Sequence, residues 1–333
     1  MELQNIIFHK VITEQHKTPV TTVPREKSLD LPEKKADYLV NEVLNNYDRE
    51  VSLAYAGFTT DSLFPNKLNS FLSGQLKFYD FSIHILDQLR LKMLKVPAST
   101  GGYLTIAKYN INGDSMLLLI LLKDKDGIGI SSDLKLEEVH TLNLDKLHVA
   151  ALVNITRWEE DKERYISFLK GKSREKEVVG YFKELLNIDE DMYTDPAKHT
   201  RDLVNVIKNF CKDKLTDSDS GDARKRVHVF SLDKVNKEEN ITLEEVANLL
   251  SPSSPQDFID YIKENKIEIP CEFKPLKGKL KALVRYSVKG VTTDYTLSFE
   301  HSAIEDNKIW LNHEENLVIS DVPSWLKTQI PHR

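Results

Sequence analysis

The chain has 333 residues, of which 40% are hydrophobic and 29% charged. This composition excludes wholesale disorder, and the length predicts two domains or one large domain with appendages. Its formal net charge of −6, from 46 basic and 52 acidic residues, argues against a protein that coats a polyanion through overall charge alone. The two cysteines lie far apart, no apolar leader opens the chain, and the longest apolar run spans seven residues at 116–122, so we expect a cytoplasmic protein without a membrane segment.

The N-terminal part of the chain is predicted to begin with two extended segments, residues 6–8 and 18–23. Pro32 stands where a first helical turn would begin, and apolar residues from Tyr38 to Tyr47 follow at helical spacing. A second amphipathic helix is predicted from about residue 79 to residue 95. Its apolar stripe consists of Phe81, Ile85, Leu86, Leu89 and Met93.

The middle of the chain has the pattern of β-strands. Residues 103–109 and 116–122 flank Asn112-Gly113-Asp114, a strong signal for a hairpin turn. Asp124-Lys125-Asp126-Gly127 predicts a second turn, and residues 150–155 predict another strand. We therefore expect a mixed sheet with helices packed against it in the N-terminal portion.

From residue 178 onward the pattern becomes helical and then returns to strands. The polar stretch 214–222 predicts a mobile loop, while Thr242 with Glu245 forms a capping-box pattern and Pro255 opens a further helix. Alternation over residues 280–288, 295–299 and 309–311 predicts closing strands. The fold class is therefore predicted as α+β, with an N-terminal domain at residues 1–190 and a helical, then β-rich domain at residues 191–333.

Two partial motifs for nucleotide and calcium binding each lack a required residue. Gly171-Lys172-Ser173 resembles the end of a phosphate-binding loop, but Ile166 stands where that loop needs glycine. A calcium loop that starts at Asp124 would need glutamate at its twelfth position, where Lys135 stands. Neither motif supports a cofactor.

The candidate metal and nuclease residues are also better explained as ordinary surface groups. His140 and His148 have no third ligand at metal spacing. Asp257 and Asp260 precede Lys266 in a nuclease-like combination, but such combinations are frequent on a solvated helix face. We therefore predict no catalytic residue, no metal and no enzymatic activity.

Basic residues gather in three segments that could contact phosphates. Cations aligned along a surface gain free energy by releasing the counterions of DNA, and such contacts tolerate any base sequence. The first cluster is Arg164, Lys170, Lys172, Arg174 and Lys176; the second is Arg224, Lys225 and Arg226; the third is Lys274, Lys277, Lys279, Lys281, Arg285 and Lys289. A solvated face that serves only solubility is the alternative explanation for each cluster.

Residues 101–186 resemble the central region of the bacterial 37-kDa nucleoid-associated protein family, the NdpA type. The matching motifs are Gly101-Gly102-Tyr103, the apolar strand at 116–122, LNLD at 142–145 with His148, VNITRW at 153–158, RYISFLKG at 164–171 and VGYF at 179–182. The resemblance implies a bacterial, cytosolic protein of the nucleoid without assigned chemistry, and it supplies no catalytic residue.

Composition and resemblance together predict a non-enzymatic, nucleoid-associated protein that binds double-stranded DNA with low sequence specificity through these clusters. Homo-oligomers and contacts with other nucleoid proteins would suit such a protein, since paired weak sites gain avidity. An adaptor that reaches the nucleoid through a DNA-bound partner is the main alternative, and the net charge of −6 favours it. An unrecognised metal-dependent nuclease is the third.

Overall fold

The computed structural model of the chain describes residues 1–14, 19–50, 52–96, 99–170, 176–289 and 295–330. The described residues divide into two compact units, Met1–Thr194 and Asp195–Arg333. Both units combine helices with antiparallel strand pairs, so the predicted α+β class is confirmed. None of the helices among these residues has the length and hydropathy that a bilayer crossing requires.

Unit 1 is built on one large sheet covered by helices. Its strands are β1 (Glu2–Ile12), β2 (Thr21–Val23), β3 (Leu53–Phe58), β4 (Gly102–Ile111), β5 (Asp114–Ile130), β6 (Leu136–Asn143), β7 (Ala150–Asn154), β8 (Ile166–Leu169) and β9 (Ile188–Asp189). Its helices are α1 (Lys34–Asp48), α2 (Leu63–Leu72), α3 (Phe78–Met93), α4 (Ile155–Glu159) and α5 (Lys176–Leu186). The strand order is β2-β1-β4-β5-β7-β8-β3-β9, with β6 beside β5. The sheet expected to be mixed is antiparallel in every strand pair described.

The central strand β5 explains why helices cover both faces of this sheet. Its apolar run is buried from Leu117 to Leu122, and successive side chains of a strand point to opposite faces. Leu117 and Leu119 join the core formed with α2, α3 and α5, whereas Leu118 and Ile120 join the core formed with α1. A strand that is apolar on both faces therefore requires a helical layer on each side.

Several local predictions for unit 1 are confirmed. The turn between β4 and β5 has positive φ angles at Asn112 (53°) and Gly113 (93°), as a two-residue hairpin of the favoured type requires. The predicted stripe of α3 is buried along its whole length. In α1 the predicted stripe is only partly correct, because Tyr38 is 65% exposed whereas Val43 and Tyr47 are buried.

The predicted turn at Asp124-Lys125-Asp126-Gly127 is wrong. These residues continue β5, which runs to Ile130 and pairs with β6 throughout. The chain reverses at residues 131–135 instead, where the Ser131 amide donates a hydrogen bond to the Lys135 carbonyl (2.9 Å). Cross-strand pairing with β6 thus outweighs the turn propensity of the polar tetrapeptide.

Unit 2 begins with two long helices, and shorter helices and short strand pairs follow along the chain. The helices are α6 (Pro196–Lys214), α7 (Asp217–Asn236), α8 (Leu243–Leu250), α9 (Gln256–Glu264), α10 (Lys277–Leu280), α11 (Ser302–Glu305) and α12 (Ser324–Lys327). The strands are β10 (Ile241–Thr242), β11 (Glu272–Phe273), β12 (Arg285–Lys289), β13 (Thr296–Glu300), β14 (Ile309–Leu311) and β15 (Leu317–Ile319), and they pair as β10-β11, β12-β13 and β14-β15. The capping box of Thr242 and Glu245 is confirmed at the start of α8.

Two predictions for unit 2 are wrong. Residues 217–222, expected in a mobile loop, form the first turns of α7, and the Thr216 hydroxyl caps this helix by accepting from the Asp219 amide (3.2 Å). Residues 280–283 were expected in a strand, but Leu280 ends α10 and residues 281–283 form a 3-10 turn; the side chains of Leu280 and Leu283 are fully buried. The strand begins only at Arg285.

Candidate nucleic-acid interface

The third basic cluster lies on a surface segment, residues 274–289, that we call the basic strip. It runs from the end of β11 through α10 and the 3-10 turn into β12. The buried side chains of Leu280 and Leu283 hold the strip against the rest of unit 2, where α10 contacts α6 and α7. The Leu276 amide also donates a hydrogen bond to the Thr200 hydroxyl on α6 (2.9 Å). Apolar anchors beneath the strip therefore turn its cations outward.

The strip combines exposure with an absence of acidic residues. Five of its cations have exposed side chains: Lys274, Lys277, Lys279, Lys281 and Arg285. Within the part of the chain that the structure describes, its four exposed lysines form no ion pair. The sixth cation, Lys289, lies in β12, and its side chain is outside the described residues. Unit 2 has 21 basic and 23 acidic residues, of which the strip carries six basic and no acidic ones.

The second cluster lies on α7, where three consecutive residues point in three directions. Arg224 is half-buried: its guanidinium stacks on the ring of Tyr286 (5.0 Å to the centroid) and donates to the Tyr286 hydroxyl (2.7 Å). Lys225 donates to both carboxylate oxygens of Glu305 (2.6 and 2.7 Å). Arg226 is exposed and donates to the Leu249 carbonyl (3.0 Å). Each of these cations therefore has a partner within unit 2.

Positive charge also accumulates where α6 faces α7. Burial, and then repulsion from the Arg224 guanidinium, lower the pKa of Lys208 on α6. Burial raises the pKa of the Cys211 thiol one turn further along the helix, although Arg224 and Arg226 act against that shift. The Arg224 guanidinium of α7 therefore acts on both of these α6 side chains.

The first cluster belongs to unit 1, and the structure places little of it on the surface. Arg164 is only 7% exposed and lies over the ring of Tyr55 (5.9 Å to the centroid). Lys170 is half-buried, 3.7 Å from a carboxylate oxygen of Glu190. Lys172 and Arg174, like the whole Gly171-Lys172-Ser173 motif, lie outside the described residues, as does the side chain of Lys176 at the start of α5. Burial leaves the Arg164 guanidinium poorly placed to reach a phosphate.

A buried His–Ser pair in unit 1 resembles a catalytic pair, but its hydrogen bonds run in the wrong direction. His9 Nδ1 accepts from the Arg25 amide (3.1 Å), so the ring proton sits on Nε2 and points to Ser82 Oγ (3.0 Å). The Ser82 hydroxyl donates in turn to the Tyr79 carbonyl (2.6 Å). Burial lowers the pKa of His9 to about 4. The imidazole therefore acts as a donor and cannot take the serine proton.

Asp222, His301 and Glu305 bring one possible metal-ligand atom each within 4.8 Å of one another. His301 Nδ1 is hydrogen-bonded to the Tyr286 hydroxyl (3.1 Å), which leaves Nε2 facing Asp222 at 3.9 Å. The Lys225 ammonium, however, bonds both oxygens of Glu305 and supplies the positive charge that a metal ion would bring. The group is thus organised as an ion-pair network.

Comparison with known proteins shows what the chain is similar to. The model of the NA37 family, described as nucleoid-associated protein YejK, matches residues 7–327. A nucleoid-associated protein of Actinobacillus pleuropneumoniae serotype 3 (strain JL03) is 22% identical, with 99% of this chain and 98% of that protein covered. Nucleoid-associated proteins of Glaesserella parasuis serovar 5 (24% identical, 83% of each chain) and Shewanella frigidimarina (26% identical, 89% and 88%) are similar over most of their length.

Proposed function

The chain belongs to the NA37 family of nucleoid-associated proteins, and we propose that it binds double-stranded DNA directly through the basic strip, without catalysing a reaction. The observation that carries this proposal is the exposure of four lysines in a segment that contains no acidic residue. Exposed cations gathered in this way can neutralise the phosphates of a duplex and release condensed counterions. The proposed location is the nucleoid of a bacterial cytoplasm.

Low sequence specificity follows from the types of residue and element that form the strip. A lysine ammonium is a point charge on a flexible stem, so it neutralises a phosphate without reading a base edge. Base recognition in the major groove usually requires a helix of several turns or a two-stranded ribbon. Within the strip, Lys277, Lys279 and Lys281 lie on α10, which has four residues, and on the 3-10 turn, which has three. Of the five exposed cations, Arg285 alone lies on the two-stranded ribbon of β12 and β13. The strip is therefore suited to tracking the DNA backbone.

The test is binding of a labelled random duplex, measured by fluorescence anisotropy at low salt. In the strip variant, Lys274, Lys277, Lys279 and Lys281 are replaced by glutamine. In the matched control, Lys212, Lys214, Lys266 and Lys327, which are exposed lysines of the same unit, are replaced in the same way. Both variants lose four charges, so only the location differs. We expect binding at least about 10-fold weaker in the strip variant and nearly unchanged in the control. Equal losses in both would refute the assignment to the strip.

The adaptor remains the second candidate function, because a net charge of −6 repels DNA everywhere outside a local patch. An adaptor would give no binding of naked duplex by the wild-type chain at low salt. The absence of catalysis is tested separately, by incubating supercoiled plasmid with the protein and Mg²⁺ or Mn²⁺. We expect the plasmid to stay intact, whereas nicking that EDTA abolishes would establish a nuclease.

A further inference from the structure

A two-stranded ribbon projects from the sheet of unit 1. Beyond Leu122, where β4 ends its pairing with β5, the strand β5 continues to Ile130 beside β6 alone. We call residues 123–143 the arm; its eight cross-strand pairs give it a length of about 27 Å. Among the strand pairs that the structure describes, none covers the outer edge of β6 or the edge of β5 beyond Leu122.

The arm is anchored at its base and filled on one face. The Lys123 ammonium, whose pKa burial lowers to about 8, donates to the carbonyls of Thr100 (2.8 Å) and Gly101 (2.7 Å) where β4 begins. Further out, Val139 packs across Gly129, since a Cβ on that glycine would come within 2.8 Å of the valine side chain. The arm is therefore a formed ribbon, with Val139 packed over the glycines of one face.

The opposite face of the arm is apolar and uncovered at its tip. Ile128 and Ile130 on β5 lie on the same face as Leu136, which pairs with Ile130, and Leu134 stands at the turn. Their exposed fractions are 75%, 69%, 76% and 86%, respectively. Isolated two-stranded ribbons are only marginally stable in water. Four neighbouring aliphatic side chains exposed to solvent lower the stability of this ribbon further. Such a face calls for an apolar partner.

The charges of the arm exclude DNA as that partner. Five acidic residues, Asp124, Asp126, Asp133, Glu137 and Glu138, outnumber the three lysines. On the apolar face, Asp124 and Asp126, the latter with its hydrogen bond to His140 (2.8 Å), lie towards the base, whereas Glu138 pairs with Ile128 and borders the apolar tip. A polyanion would be repelled along the whole arm. The occupant is therefore a protein surface.

We propose that the occupant is the arm of a second copy of this chain, packed tip against tip about a two-fold axis. Taking about 200 Å² for a fully exposed Leu or Ile, the four exposed fractions amount to roughly 600 Å² per copy, as large as the biggest apolar patch of a typical monomer. Two copies would bury about 1,200 Å², the lower bound for specific protein interfaces. Face-to-face packing of this kind covers both tips at once, leaves Asp124 and Asp126 outside the seam and places Glu138 at its edge.

Sedimentation analysis of the full chain tests the proposal. We expect the wild type at twice its mass of 38.3 kDa, and a monomer for Ile130→Asp/Leu136→Asp, with a dimer Kd at least about 100-fold higher. Tyr38→Asp/Leu91→Asp, at two exposed helix positions of unit 1, should leave the dimer intact. The milder Ile130→Thr/Leu136→Thr keeps β-propensity and should also weaken the dimer. A monomeric wild type, or a dimer unaffected in both arm variants, would overturn the proposal.

Disulfide crosslinking tests the tip-to-tip arrangement. Ile130→Cys, Leu134→Cys and Leu136→Cys are oxidised one at a time, with Tyr38→Cys as the control and both native cysteines kept in every variant. We expect a covalent dimer from at least one arm position and none from the control. If the chain dimerises but no arm position crosslinks, the arm meets another surface and the two-fold seam is wrong.

This proposal is independent of DNA binding, and salt separates the two. Acidic arms repel each other weakly, so added salt should leave the dimer Kd unchanged or lower it. Phosphate contacts by the strip would weaken with salt instead. A chain that dimerises but binds no duplex would refute only the proposed function, and a monomer that still binds duplex would refute only the arm interface.

Discussion

The strip variant defined above makes the strongest prediction, because removing its lysines should change the salt dependence of DNA binding as well as its strength. Each phosphate neutralised by a cation contributes about −0.9 to the slope of log affinity against log salt. The five cations of the strip with exposed side chains give a wild-type slope of about −4.5 if all contact phosphates. With four lysines replaced, Arg285 is the one of these five cations that remains, and their contribution to the slope should fall to about −0.9.

The difference is large enough to measure over an ordinary salt range. Between 50 and 200 mM salt, a slope of −4.5 means that the affinity of the wild type falls about 500-fold. Over the same range, the affinity of the strip variant should fall only about 3-fold. Anisotropy titrations of a random duplex at four or five salt concentrations would give both slopes, and the control variant should retain the wild-type value.

Two results would refute this reasoning. A wild-type slope near zero, despite measurable binding, would mean that the contact is not made through phosphates. A steep slope that is the same in the wild type and in the strip variant would mean that phosphates are met elsewhere, with the cations of α7 and the Lys208 region as the next surface to test.

Four further predictions concern stability and can be checked by urea unfolding. Leu280→Ala, at a fully buried anchor of the strip, should cost about 2–5 kcal/mol in unit 2. Burial lowers the pKa of His9 from 6.5 to about 4, so the unfolded chain binds a proton at a higher pH than the folded chain does. The free energy of unfolding of the wild type should therefore fall by about 3 kcal/mol as the pH falls from 6.5 to 4. A His9→Gln variant with the same pH profile as the wild type would contradict this. Gly113→Val, at a φ of 93°, should cost about 1–2 kcal/mol, whereas Gly278→Ala in α10, which meets nothing within 4 Å, should gain up to about 1 kcal/mol.

Elements whose local sequence pattern is compatible with a single structure could be predicted from the sequence. Asn112-Gly113 predicts a tight hairpin because few residues tolerate positive φ, and the stripe of α3 and the capping box of α8 likewise define their elements. The predicted turn at 124–127 and the predicted loop at 214–222 failed because both are polar. A polar segment can be a turn, the exposed part of a ribbon or the first turn of a capped helix, and the choice depends on pairing partners that lie elsewhere in the chain.

The candidate site likewise has features that the sequence predicts and features that only the fold decides. The density of lysines between residues 274 and 289 and their lack of acidic neighbours are visible in the sequence. Whether a cation is exposed is decided by the fold: Arg164 has the same charge as Arg285, yet it is buried over an aromatic ring. The apolar tip of the arm is not predicted, because the turn predicted at residues 124–127 separates Ile128 and Ile130 from the buried strand that precedes them. An aliphatic–glycine alternation beyond a buried strand could have been a signal for it.

The continuity of β5 limits how the arm can change in length. One strand passes from the core to the tip without a register shift against β6, so the side chains of Leu118, Ile120 and Ile130 share a parity. Inserting a single residue after Leu122 would turn the isoleucines of the tip to the face where Val139 lies, and a second inserted residue would turn them back. The segment between core and tip can therefore lengthen or shorten only by even numbers of residues if the apolar tip is to keep its direction.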